Sequence, residues 1–99
     1  MPEATVTLHN PTGLHARPAK VFARAASAAD ATVTVRKDGE PVNAKSVLSV
    51  LTLDGHEGDT ITIAVEGDDA DQVLAGLVAL VESGLGEDVT TPTGQEGTA

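Results

Sequence analysis

The chain has 99 residues, with six Lys or Arg against fifteen Asp or Glu and a net charge of −9. That length fits a single domain with a small core, and so large an acid excess repels the phosphate backbone of nucleic acids. One aromatic residue, Phe22, and no cysteine leave no stacking platform for bases, no disulfide and no thiolate metal site.

The N-terminus, Met1-Pro2-Glu3-Ala4, lacks the basic and apolar regions of a signal peptide, and no apolar run approaches the length of a membrane span. A cytoplasmic protein without membrane insertion is expected. Ala4, Val6 and Leu8 then alternate with Thr5 and Thr7, the period of a half-buried strand. Asn10-Pro11-Thr12-Gly13 is turn-forming. Ala19, Phe22, Ala23 and Ala26 recur at helical spacing, so a helix should begin near Ala16 with His15 at its N-cap. Pro18 suits the first helical turn, where its missing N–H has no intrahelical partner anyway. The remaining free N–H groups and the positive helix end form a site for an anion. Arg17, Lys20 and Arg24 share the helix face opposite the apolar one.

Val33 and Val35 alternate with Thr32, Thr34 and Arg36 in a second strand, and Lys37-Asp38-Gly39-Glu40 reads as a hairpin turn. It leads into a short third strand, Pro41-Val42-Asn43, where the proline points to an edge position or a strand start. Ser46 caps a short helix carrying Val47, Val50 and Leu51. Ile61, Ile63 and Val65 alternate with Thr60, Thr62 and Ala64 in a fourth strand. A third helix over about residues 70 to 83 is marked by Val73, Leu74, Leu77, Val78, Leu80 and Val81. Asp69 with Gln72 resembles a capping box, and Gly84 followed by Leu85 suits a left-handed C-terminal cap. One-sided strands call for an antiparallel sheet with helices on one face, in the order β-α-β-β-α-β-α. The domain is expected over residues 1–85, followed by a mobile polar tail over 86–99.

Two segments carry a family resemblance. Gly13-Leu14-His15-Ala16-Arg17-Pro18-Ala19 resembles the active-site motif of HPr, the histidine-containing phosphocarrier family of the phosphoenolpyruvate-dependent sugar phosphotransferase system. Pro41-Val42-Asn43-Ala44-Lys45-Ser46-Val47-Leu48 looks like that family's regulatory-serine region, at the family's separation from the histidine. The resemblance runs through roughly residues 4 to 85. It implies an α+β open-faced β-sandwich, a four-stranded antiparallel sheet under three helices. It also implies that His15 accepts a phosphoryl group, at Nδ1, from Enzyme I and passes it to sugar-specific IIA domains, so that the protein is a carrier rather than an enzyme.

Further roles follow from the same resemblance. Arg17 matches the arginine that contacts the phosphoryl group, and Ser46 the regulatory serine, served in part of the family by an HPr kinase/phosphorylase and read by a transcriptional regulator. Thr12 matches the Ser or Thr frequent before the active histidine, with an equally good role in the turn. Lys20 and Arg24 extend a basic stripe toward acidic partners, although Lys20 stands where the family has a small residue. Val47, Leu48 and Leu51 look like the apolar docking patch, while helical spacing turns Val47, Val50 and Leu51 toward the core and leaves Leu48 outside. Ser49 replaces the motif's usual glycine. Other branches fit the same motif: a regulatory, nitrogen-related or dihydroxyacetone kinase carrier, or a regulatory binding module working through the Ser46 helix. His9 and His56 read as ordinary surface residues. The loop Asp54-Gly55-His56-Glu57-Gly58-Asp59 lacks metal-site geometry. No metal or cofactor is expected, and a monomer is.

Overall fold

The computed structural model describes residues 2–9 and 13–85. The elements are β1 (Glu3–Thr7), α1 (Ala16–Ser27), β2 (Thr32–Arg36), β3 (Val42–Asn43), α2 (Val47–Leu51), β4 (Thr60–Glu66) and α3 (Ala70–Glu82). The strands form one antiparallel sheet in the order β1-β4-β2-β3. β4, the longest strand, and β2 are each paired on both sides and each carry four β-branched residues in a row, and the two-residue β3 lies at an edge directly after Pro41. That is where a residue without an N–H does no harm to the ladder.

Alternation along the strands sorts the two faces. Val6, Leu8, Val33, Val35, Ile61, Ile63 and Val65 are buried on the inner face, where Phe22 of α1 is fully covered with them. The outer face is polar: Thr5 Oγ1 and Thr62 Oγ1 lie 2.9 Å apart, and Arg36 pairs with Glu3 at 3.3 Å. Ala64 is buried to 8% exposure although it belongs to this outer face. Its Cα partners are Glu3 and Thr34 on the flanking strands, whose larger neighbours shelter a methyl group. The architecture is therefore an α+β open-faced sandwich.

Helix α3 ends as expected. Gly84 has φ 98 and donates to the Val81 carbonyl at 3.0 Å, while Leu85 donates to the Leu80 carbonyl at 3.0 Å and is fully buried. This pair of bonds with its apolar plug is a Schellman ending. The start differs from the expected capping box: Asp69 is the N-cap residue, but with φ −103 and ψ 28 its side chain makes no capping bond. The extended backbone that normally aims an N-cap oxygen at the first turn is missing, and Asp71 supplies negative charge there instead. Thr12 and residues 86–99 lie outside the described residues. Among the described residues no helix is long and apolar enough to cross a membrane.

Candidate functional site

Helix α1 begins where the proline and the apolar spacing place it. His15 is its N-cap in extended backbone, φ −86 and ψ −173. Its carbonyl accepts from the Ala19 amide at 2.9 Å, but its imidazole makes no capping bond. The cap is thus made by backbone alone, and among the described residues the exposed ring makes no hydrogen bond or ion pair. Ala16 and Arg17 carry the first-turn amides that an α-helix leaves without an internal partner, while Pro18 has none and is buried beneath them. Arg17, Lys20 and Arg24 line one exposed shallow groove together with Ala16 and Val21. Among the described residues these three cations form no ion pair.

The loop after α2 folds back to support His15. The Leu14 amide donates to the Gly55 carbonyl at 2.9 Å, the Leu8 amide to the Asp59 carbonyl at 2.8 Å, and the Gly58 amide to the Leu8 carbonyl at 2.8 Å. Gly13, at φ 61, passes so close to Gly55 that a Cβ there would overlap the Gly55 backbone. This closeness brings His56 against His15, with ring centroids 6.2 Å apart and planes inclined at 67°. His56 is exposed, as the sequence suggests, but it lies against His15, a proximity that the sequence does not reveal. Two glycines bracketing the histidines were the only local hint of a close backbone approach.

Asp59 organises that loop. Its Oδ2 accepts the His56 backbone N–H at 3.0 Å and the Lys37 ammonium at 3.3 Å. The His56 backbone bond first, and the Lys37 side chain next, hold its carboxyl below the usual carboxylate range against a smaller opposing effect of burial. The His56 ring lies between two carboxylates, with Nε2 3.6 Å from Asp54 Oδ1 and Nδ1 3.6 Å from Asp59 Oδ2. Among the described residues no group of three or more His, Asp or Glu side chains is arranged to hold a metal.

Ser46 stands on the neighbouring helix α2, which packs against α1. Its Oγ accepts from the Ser49 amide at 3.3 Å, as a cap should. Val50 is fully buried, Val47 and Leu51 are half-buried against the core, and Leu48 is 76% exposed. Of the three residues of the expected apolar patch, Leu48 alone is open to a partner; the core claims much of the other two.

An exposed imidazole at a helix N-terminus, beside three cations that form no ion pair among the described residues, on a small open-faced sandwich is the arrangement to set against known proteins. The family model described as "PTS HPr component phosphorylation site" matches residues 2–83. The phosphocarrier protein HPr of Streptomyces coelicolor is 46% identical over 88 residues, covering 88% of this chain and 95% of that protein. The HPr-like protein Crh of Halalkalibacterium halodurans is 38% identical, covering 83% and 98%, and the phosphocarrier protein NPr of Shewanella violacea 41%, covering 86% and 93%. The crystal structure of HPr from Thermoanaerobacter tengcongensis superposes with a TM-score of 0.84 at 41% identity, covering 89% of this chain and 99% of that one. A second structure, described as an HPr dimer from the same organism, matches at 0.69 and 41%, covering 88% and 100%. The chain belongs to the HPr family of the phosphotransferase system. Its function, at the level of that family, is that of a phosphocarrier.

Proposed function

We propose that His15 is the phosphoryl acceptor, that Enzyme I charges it at the expense of phosphoenolpyruvate, and that a sugar-specific IIA domain discharges it. The observation that carries this reading is the exposed His15 ring at the N-cap of α1, which makes no capping bond. The attacking ring nitrogen forms a bond to phosphorus as the donor's bond to phosphorus breaks, and the second transfer repeats the exchange toward the IIA domain. Throughout this largely dissociative transfer the charge on the phosphoryl oxygens faces the amides of Ala16 and Arg17 and the positive helix end. Arg17 adds a charge-assisted contact. A phosphoramidate is reactive enough to pass its group on, so the site needs to hold the group without trapping it.

Partner choice follows from surface. The stripe of Arg17, Lys20 and Arg24 gives the active side a sign opposite to that of the whole molecule, which steers it toward acidic partner surfaces, and exposed Leu48 adds an apolar anchor. Ser46 is the regulatory position, placed where a kinase-added phosphate would sit beside that docking surface. The protein is read as a cytoplasmic monomer.

The test is incubation with phosphoenolpyruvate and Enzyme I, read by intact mass at neutral pH, then addition of either a sugar-specific IIA domain or its nitrogen-branch counterpart. Gain of one phosphoryl mass that the sugar-specific domain drains faster is expected. No gain contradicts the reading, and drainage by the nitrogen-branch protein alone moves the chain to that branch.

A further inference from the structure

Resting on the reading that His15 carries the phosphoryl group, we propose that His56 is a second phosphoryl-contact residue. In its protonated form it exchanges the Asp54 carboxylate for an oxygen of the phosphoryl group on His15. The geometry supplies the reach. With centroids 6.2 Å apart, the rings leave a gap that a phosphoryl group on one spans to within hydrogen-bond distance, about 2.7–3.0 Å, of a nitrogen on the other.

The two nitrogens of His56 are held unequally. On the Nδ1 side, Asp59 is fixed by the His56 backbone N–H at 3.0 Å and by Lys37 at 3.3 Å, while Lys37 also donates to the Asp54 carbonyl at 3.1 Å. That anchor is built from three groups. On the Nε2 side the partner among the described residues is the Asp54 carboxylate at 3.6 Å, 74% exposed, a separation beyond a hydrogen bond and a charge well screened by water. Nε2 therefore has a partner it can leave at little cost, and a phosphoryl dianion is the stronger acceptor.

Charge makes the exchange necessary. Among the described residues the titratable groups around His56 are His15 at the start of α1, Lys37 beyond the end of β2, and Asp54, Asp59 and the exposed neighbour Glu57 on its own loop; the backbone of Leu8, just after β1, also meets this loop. A phosphoryl group on His15 arrives near these carboxylates, and a cationic His56 stands between it and Asp54, adding to the charge that Arg17 supplies from the other side. The contact needs the cationic form of the ring, so it strengthens the phosphorylated form in acid and fades in base.

The experiment compares the full chain with His56→Gln, each brought to equilibrium with Enzyme I at a fixed ratio of phosphoenolpyruvate to pyruvate across about pH 5.5 to 8.5. Intact mass reads the phosphorylated fraction, and a ratio of the two proteins cancels the intrinsic pH dependence of the donor. We expect the wild-type equilibrium constant to exceed that of the variant about two- to fivefold near pH 6, the strength of an exposed ion pair, and to match it at the basic end. Asp54→Asn, which removes the competing carboxylate, should widen the gap at low pH. A ratio of one throughout, or one that does not vary with pH, overturns the assignment of His56 while leaving His15 as acceptor. Failure of the wild type to gain a phosphoryl group at any pH overturns the carrier reading and this one with it.

Discussion

Gly13 and Gly55 are packed backbone against backbone, so that a side chain at residue 13 has no room beside the carbonyl of residue 55. Gly13 also has φ 61, a conformation that costs an L-residue about 1–2 kcal/mol. Gly13→Ala should therefore destabilise by at least about 2 kcal/mol, lowering Tm by roughly 8–16 °C for a domain of this size. Gly55→Ala is the milder change, since its Cβ would meet the Leu8 and Leu14 side chains rather than backbone, and those buried leucines would have to repack. Thermal melts of the pair check the order; equal stabilities for Gly13→Ala and wild type would show that the loop yields freely.

Arg17 is exposed and makes no ion pair among the described residues, so Arg17→Ala should leave stability within about 0.5 kcal/mol. Loss of a charge-assisted contact to the phosphoryl group, about 1.5–3 kcal/mol, should slow transfer about tenfold to a hundredfold. Rapid-quench transfer kinetics beside a melt separate the two effects. Unchanged kinetics with a large fall in Tm would make Arg17 a structural residue.

The fold was legible because periodicity carried it. Alternating valines and threonines reported the one-sided sheet, and Ala19, Phe22, Ala23 and Ala26 reported the buried side of α1. His15 at the N-cap was legible for a local reason, since a turn, a proline and an apolar stripe converge within a few residues. His56 was not, because its place beside His15 is set by backbone bonds between segments far apart in the chain, and no local pattern encodes such a return. Asp69 misled for the opposite reason: its residue type and spacing suit a capping box, but its backbone is not extended there. Among Val47, Leu48 and Leu51, spacing on a five-residue helix gave the right outward residue, Leu48, and only the coordinates show how far the other two are covered.

Ser46→Asp should keep the fold, because a negative group at the start of α2 faces its free amides. The same charge opposes the acidic surfaces that Arg17, Lys20 and Arg24 attract, so charging by Enzyme I should slow at low salt and recover as salt screens the repulsion. Initial rates across a salt series, with melts alongside, test this. Equal rates at low salt would leave Ser46 as a helix cap only.

Asp59 has a folded-state pKa below its ordinary value, through the His56 amide and Lys37. A lowered carboxylate pKa contributes stability that is present above the unfolded value and is lost as pH falls through the folded one. Asp59→Asn should therefore melt below wild type at neutral pH, with the difference closing as pH falls from about 5 toward 2. Melts over that range check the sign. A gap that stays constant into acid would mean that the amide of His56, which asparagine can still satisfy, is not the charge-dependent partner.

The central claim is that His15 is the atom-bearing residue of the relay. Phosphoenolpyruvate and Enzyme I, applied to wild type and to His15→Ala with both proteins shown to be folded, test it most directly. The wild type should gain one phosphoryl mass that is lost in acid and survives alkali, and His15→Ala should gain none. Undiminished labelling of His15→Ala, or a wild-type label that withstands acid, would contradict the account.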